Sequence, residues 1–534
     1  MSPAEVLAFA RGLLAEMLEL RSTYQDLRRE FAELKVEHQA VKDELARVKK
    51  LPPRPPIKPS GMEKATSGIE PEGKSGQRDG AKRRRGAVLE RLKITATVVV
   101  AGRAPLGSRR KGYEEIVVQD LRLEATATLY RRERWQTPEG ETVVAALDPA
   151  IVGGFGPNLH RTVLQLHFQG QMSCERIVAY LNDLGVTISK RQVVRLLTMK
   201  LEAFRAEDAE VLKAGLMGDY VSVDDTGARH AGKNGYTTQI GSDRFCAFRT
   251  GPSKSRLAFL SWLNGRSSLF VINQAALDYM KERGLSDVTI AEFAEMKDRV
   301  FESKQTWETC LTALGLHEIK GTLDLVTLAT EGALWGAIRH QGLVERTVIL
   351  SDDAGQFRVG QHALCWVHAE RLVHKLVPAN DKQRNAIENA KRMIWWLYRQ
   401  LKAYKLAPSA ERAEILTSRF ERIFDRAGAG YVTLDKLLKR LHANGRELLR
   451  VLERPEIPLN TNASENDIRT VVTKRKISAG TVSDKGRDAR DVMLGLYKTC
   501  KKLRISFYQF LGDRLGIPGS KVPPLQALVR PAPS

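Results

Sequence analysis

Val6, Leu13, Leu20, Leu27, Leu34, Val41 and Val48 recur every seven residues through the first fifty positions of the chain. A second row, Met17, Tyr24, Phe31, His38 and Leu45, falls four residues after members of the first. Apolar side chains at alternating spacings of three and four make one seam along a helix, and a strict seven-residue repeat keeps that seam facing a partner. With the Leu row at d, Glu30, Glu37 and Glu44 occupy g, and Lys35, Lys42 and Lys49 occupy e of the following heptads. Glu at g opposite Lys at the next e is the charge arrangement of a parallel dimer. His38, at an a position, would set the register. A helix packed on its own domain would need the periodicity but not those charges. Residues 1–50 are therefore expected to form a parallel dimeric coiled coil, a leucine zipper that makes the protein a homodimer. Pro52-Pro53-Arg54-Pro55-Pro56 ends it, because proline cannot continue a helix.

The remainder of the chain belongs to a strongly basic protein. The chain has 534 residues, enough for several domains, and 85 Lys+Arg against 63 Asp+Glu, a formal charge of 85 − 63 = +22. Such a charge points to a polyanionic partner, nucleic acid first. No apolar run reaches the roughly 18 residues a membrane span needs, and Met1–Ala10 lacks the basic start and apolar stretch of a secretory signal. The five cysteines lie far apart with no C-x-x-C pair, which argues against a disulfide framework or a Cys-rich zinc ribbon and suits a reducing, cytoplasmic setting.

Residues 51–92 are rich in Pro, Gly, Ser and Lys and include Lys82-Arg83-Arg84-Arg85. They read as a flexible basic linker, either a solvated tether or one in which Arg83, Arg84 and Arg85 lie along phosphates. Residues 93–150 alternate apolar and polar at Ile94–Val100, Glu115–Val118 and Thr142–Val144, the pattern of a small β-rich module. From 151 to 205 the period becomes helical. Cys174–Leu184 is an amphipathic helix closed by Gly185, and Ser189 can cap a second over Lys190–Leu197. A helix, a short Gly turn and a helix opening with Lys190, Arg191 and Gln192 and continuing to Arg195 suit a helix-turn-helix on DNA. A plain helical hairpin would look the same.

Acidic residues dominate the next stretch. Val221-Ser222-Val223 runs into Asp224-Asp225-Thr226-Gly227, and Thr347–Ser351 runs into Asp352-Asp353. Glu465 stands at the start of a helix in Asn460–Arg469. Carboxylates at the ends of two strands, with another on a late helix, are what a two-metal phosphoryl-transfer site requires: Mg²⁺ takes oxygen ligands, and a pair about 3.5–4 Å apart can share two or three carboxylates. Each piece has a plainer reading. Asp-Asp-Thr-Gly makes a good turn, Asp352-Asp353 can simply end a strand, and Asn462-x-x-Glu465 is a capping pattern. Asp225-Thr226-Gly227 would also suit an aspartic protease, but that needs two such loops or a dimer of small subunits, and one copy in a 534-residue basic chain argues against it.

Three blocks in order resemble the transposases of the insertion-sequence-66 family. Val223-Asp224-Asp225-Thr226 is similar to the family's Ala-Asp-Glu-Thr. Ser351-Asp352-Asp353 with Phe357, then Cys365-Trp366-Val367-His368-Ala369-Glu370-Arg371, is similar to its Asp-Gly-Tyr and Cys-Trp-Ala-His-Ala-Arg-Arg. Asn462–Arg469 followed by Arg475-Lys476 is similar to its Asn-x-x-Glu-Arg-x-Ile-Arg and Arg-Lys. The resemblance implies a multidomain α/β protein with an RNase H-like catalytic core of the DDE group. That core would occupy 206–380, with an insertion at 265–346, and 456–510; a helical insertion would fill 381–455, and 511–534 would be a C-terminal tail. Asp224, Asp352 and Glu465 would be the catalytic residues and the ligands of two Mg²⁺ ions, with Mn²⁺ as a substitute; Asp225 and Asp353 are the fallbacks. Arg469, Lys474, Arg475 and Lys476 would contact the DNA backbone. The implied activity is cleavage at element ends and strand transfer into target DNA, on terminal inverted repeats and with element-encoded accessory proteins as further partners in a bacterial, nucleoid-associated setting. The alternatives are a non-catalytic DNA-binding regulator derived from a transposase and a nuclease of the same core fold. The family's usual Cys-based zinc module has no matching cysteines here. Cys365 and His368, one helical turn apart, read as packing under the site, since two ligands do not make a structural zinc site.

Overall fold

The computed structural model describes residues 94–530, apart from 103, 104, 106, 110, 149, 150, 152, 153, 266, 319–323 and 426–430. The zipper expected over 1–50 and the linker with Arg83, Arg84 and Arg85 lie outside the described residues. The described residues are mixed α/β and about half helical. No helix among the described residues is long and apolar enough to cross a membrane.

In the 94–148 region the described residues form one hairpin, β1 (Arg134–Gln136) with β2 (Thr142–Val144). Ile94–Val100 and Glu115–Val118 have no ladder partner, and Val98, Val100, Ile116 and Val118 are each about four-fifths exposed. The β-rich module read from 93–150 thus reduces to that hairpin. Alternation marks a chain that can present one apolar face; a sheet also needs a neighbour to pair with.

Helices α1 (Pro157–Leu164), α2 (Cys174–Asp183), α3 (Lys190–Thr198) and α4 (Leu201–Gly215) come next, with a π turn at Gln165–Gln169. The side chain of Ser173 caps α2, and Ser189 caps α3 in a reciprocal box with Gln192. These caps set the helix starts where the sequence placed them.

The central sheet has five strands in the order β5-β4-β3-β8-β9. β3 (Tyr220–His230), β4 (Lys233–Gly241) and β5 (Cys246–Gly251) form an antiparallel meander, while β8 (Val348–Ser351) and β9 (Gln361–Leu364) run parallel to β3. β3 does not end at its aspartates. Asp224, Asp225, Thr226 and Gly227 pair with Gln239, Thr238, Thr237 and Tyr236. The reversal comes instead at Ala231-Gly232, whose φ angles of 47° and 75° supply the two left-handed residues of a tight hairpin. The expected turn at Asp225–Gly227 is therefore a mid-strand segment.

Between β5 and β8 lie α5 (Arg256–Leu263), β6 (Phe270–Ile272), α6 (Gln274–Glu282), α7 (Asp287–Ala294), β7 (Arg299–Phe301), α8 (Lys304–Ala313) and α9 (Leu325–His340). β6 and β7 pair apart from the main sheet, and Phe270, Phe293 and Phe301 pack around Trp307. Past β9 come α10 (Trp366–His374), then the helical block α11 (Asp381–Leu406), α12 (Ala410–Phe424), α13 (Val432–Ala443), α14 (Gly445–Leu448) and α15 (Arg450–Glu453). The chain returns through α16 (Asn462–Ser478), α17 (Asp484–Lys502), α18 (Phe507–Arg514) and α19 (Leu525–Val529). The expected C-terminal tail is packed as far as Arg530: Leu525 and Val529 are buried. Glu207 on α4 accepts from Leu525 N at 3.1 Å and from Arg514 Nε and Nη2 at 2.7 Å each.

Candidate active site

Register brings the first two acids together. β3 and β8 pair Tyr220 with Val348, Val221 with Ile349 and Ser222 with Leu350. Continued two residues past the last pair, the same offset would bring Asp224 level with Asp352, and the charge of Asp352 does reach Asp224. Strand alternation puts Asp224 on the face of Ser222, whose hydroxyl meets Ser464 on α16. With its amide oriented to satisfy both ends, Gln239 on β4 donates to Ser464 Oγ at 3.0 Å and Ser222 O at 3.3 Å. The residue after Ser464 is Glu465. The face that carries Asp224 is thus the face on which α16 begins.

Two helix starts are joined beside this face. Thr461, which precedes α16, donates its N–H to the Sγ of Cys365, which precedes α10, at 3.3 Å. One turn into α10, His368 has Nδ1 3.4 Å from Thr461 Oγ1 and Nε2 3.7 Å from Glu465 Oε1. Arg371, another turn on, donates from Nη1 to Glu465 Oε1 at 2.7 Å and from Nη2 to Oε2 at 3.3 Å. Among the described residues Glu465 accepts from no backbone N–H, so it does not act as a cap.

The charges show how the acids sit. Burial pushes the Asp224 carboxyl up to about 7; the Asp225 amide, donating to Asp224 Oδ1 at 2.8 Å, opposes this, the charge of Asp352 adds to it and His368 lowers it. Burial pulls His368 down, but its hydrogen bond to Cys365 and the charges of Cys365 and Asp352 outweigh that and raise it. Cys365 is the complement: burial raises its thiol, and His368 more than reverses the effect. His368 is therefore within electrostatic reach of Asp224 and Asp352 and close to Glu465. Still, no group of three His, Cys, Asp or Glu side chains among the described residues stands close enough to hold a metal ion. Glu465 is on Arg371 instead.

The neighbouring acids are otherwise engaged. Asp225, on the opposite face of β3, accepts from Gln356 at 2.8 Å. Asp353 is ion-paired with both Arg358 and Arg440. Among the described residues, Asp352 Oδ1 accepts only from the Ala354 N–H, at 3.1 Å.

The expected DNA contacts divide. On α3, Arg191 and Arg195 are exposed, Lys190 is exposed but paired with Glu175 at 2.5 Å, and the Gln192 carboxamide serves the Ser189 cap. On α16, Arg469 and Lys476 are exposed, and Arg475 reaches back over β3, its Nη1 3.3 Å from where a Cβ on Gly227 would lie. Lys474 is a correction. It is 3% exposed and donates to the carbonyls of His167 and Met172 at 3.0 Å each, and burial lowers it to about 8. The carbonyls around the π turn need donors, and Lys474 supplies them from the inside of α16, out of reach of DNA. Sequence reasoning does not single out Arg371 and His368 as partners of Glu465. Their i, i+3 spacing places them on one face of α10, and that is the available signal.

The described fold is mixed α/β with a mixed five-stranded sheet. The family model "Transposase IS66 family" matches residues 349–489, which include Asp352, His368, Arg371 and Glu465. An uncharacterized protein, y4jO, of Sinorhizobium fredii (strain NBRC 101917 / NGR234) is 51% identical over 320 residues, covering 60% of this chain and 99% of the relative. The chain belongs to the IS66 family of transposases.

Proposed function

We propose that the protein is a DNA transposase that cleaves at element ends and transfers the freed strands into target DNA, with Asp224, Asp352 and Glu465 as the catalytic acids of an RNase H-like core. The observation that supports this reading is the parallel β3–β8 register, whose offset runs on toward Asp224 and Asp352, beside the contact of Ser222 with Ser464, the neighbour of Glu465. The strand order, three antiparallel strands followed by two parallel to the first, supports the same core.

The donor set fits divalent cations. All three groups are hard oxygen ligands, and the Asp224 carboxyl, pushed up to about 7 by burial and by Asp352, is one whose ionised form a nearby cation would favour. When bound, Mg²⁺ or Mn²⁺ would supply Lewis-acid stabilisation of the charge that builds on a phosphodiester in transfer. The protein's own residues do the positioning. Asp224 is fixed in mid-strand, Asp352 is braced by the Ala354 N–H, and Glu465 rides on the first turn of α16. Arg475 and Lys476 on that helix would hold backbone phosphates, and Arg191 and Arg195 on α3 would hold the repeats. A zipper over 1–50 would pair two such protomers, and accessory element-encoded proteins would act on this assembly.

The test is cleavage of duplexes that carry the element's inverted repeats, with Mg²⁺ or Mn²⁺ and the full chain. Nicking that Asp224→Ala, Asp352→Ala and Glu465→Ala each abolish is the expected result. DNA binding without cleavage would indicate a regulator, and cleavage without a joined donor–target product would indicate a nuclease.

A further inference from the structure

Among the described residues, Glu465 alone of the three acids has a cation paired with it. Both of its oxygens are taken by the Arg371 guanidinium, at 2.7 and 3.3 Å, whereas among the described residues Asp224 and Asp352 accept only backbone N–H bonds, from Asp225 and Ala354. The Arg371 side chain is 27% exposed and that of Glu465 14% exposed, so the pair is partly accessible from solvent. His368 lies 3.3 Å from Arg371 Nη1 and within reach of the charges of all three acids. Arg371 therefore sits at the rim of the acidic site while holding one of its members.

A guanidinium fork matches a phosphodiester as well as a carboxylate, binding either through two parallel N–H···O contacts. Exchanging one anion for the other costs Arg371 little. For Glu465 the exchange is not neutral, because it would free the carboxylate to turn toward Asp224 and Asp352. We infer that Arg371 is a DNA-phosphate-binding residue that withholds Glu465 from the metal site until a backbone phosphate takes over its guanidinium. The inference rests on the catalytic assignment given above and extends it: the acidic triad is completed by the arrival of substrate. Arg371 acts through Glu465 and is a positioning residue; the ligand it binds is a phosphodiester.

The experiment is Mn²⁺ binding to the full chain without DNA, followed by the spin signal of free Mn²⁺. Wild type should bind weakly, and Arg371→Gln should bind roughly tenfold more tightly, the scale of one charge-assisted pair removed from a ligand. Arg371→Lys, which keeps the charge but loses the fork, should fall between and guards against a folding artefact. Glu465→Gln in the Arg371→Gln background should cancel the gain. In parallel, Arg371→Gln should lower the salt dependence of repeat-DNA binding by about one phosphate contact, a log–log slope change of roughly 0.9. Unchanged or weaker Mn²⁺ binding by Arg371→Gln, with Asp224→Asn still abolishing binding, overturns the inference alone and makes Arg371 a support for the liganding pose. Mn²⁺ binding indifferent to Asp224→Asn overturns the catalytic assignment, and the inference with it.

Discussion

The molecule carries two Asp-Asp doublets that look alike in sequence and are treated differently by the fold. In Asp224-Asp225 both residues lie inside a strand, so alternation sends one carboxylate toward α16 and the other to the opposite face, where the neutral amide of Gln356 receives it. In Asp352-Asp353 the strand has just ended; the first carboxylate is braced by a backbone N–H, and the second is held between Arg358 and Arg440. Arg358 also approaches Glu447, at 3.4 Å, so Asp353 helps fasten the helical block to the sheet. On the proposed assignment, each doublet offers one acid to chemistry and one to structure, and the neighbours decide which.

The largest effect should separate the members of the first doublet. Asp224→Asn is expected to lower repeat-end cleavage by at least about a thousandfold, the loss typical of a group that holds a catalytic charge. Asp225→Asn, which keeps the Gln356 contact, should cost less than about tenfold in the same assay. Equal losses would break the comparison. In the second doublet the contrast should appear as stability. Asp353→Asn leaves two arginines facing a neutral amide, and denaturant unfolding should show a loss of about 2 kcal/mol, below the figure for a fully buried pair because Arg440 is more than half exposed. Asp352→Asn should leave stability nearly unchanged.

The smallest expected effect concerns pH. The Asp224 carboxyl titrates at about 7 in the folded protein, from an ordinary value of 3.8. An acid raised in this way favours folding while protonated. Its contribution is complete below about pH 4 and is lost as pH rises through 7. Metal-free protein should therefore lose about 1–2 kcal/mol between pH 5 and 8 relative to Asp224→Asn, less than the full shift implies because the side chain is only part-buried. Saturating Mn²⁺ should erase the difference. A wild type and variant with parallel pH profiles would show that Asp224 is not desolvated.

Much of this arrangement was legible in the chain. Ser189 marked the start of a helix in the sequence because a cap is a local interaction, complete within four residues; the matching cap at Ser173 was just as local but was not read. The two apolar runs that lead into acids were visible as strands for the same reason. What escaped depended on distant partners. Whether Asp225-Thr226-Gly227 turns or continues is decided by β4, and the residues that do turn, Ala231-Gly232, carry no strong signal at position 231. Lys474 read as a surface cation because nothing nearby announced the carbonyls of His167 and Met172, some three hundred residues earlier. Arg371 stood in plain view in the Cys-Trp-Val-His-Ala-Glu-Arg block, but its partner could be found only once two helices were seen to start side by side.

The tip of the β3–β4 hairpin is stitched to the far end of α16. Arg229 O accepts from Thr481 N at 3.1 Å, Thr481 O accepts from Ala231 N at 2.8 Å, and the crossing is so close that a Cβ on Gly480 would lie 2.5 Å from Arg229 O. At the near end, Ser222 and Ser464 make a second stitch. A helix tacked to a strand at both ends behaves as a splint: the backbones under Asp224 and Glu465 travel as one piece, and rotation of the Glu465 side chain is the freedom that is left. Whatever assembles this centre has to do so by swinging a few atoms, with the scaffold standing still.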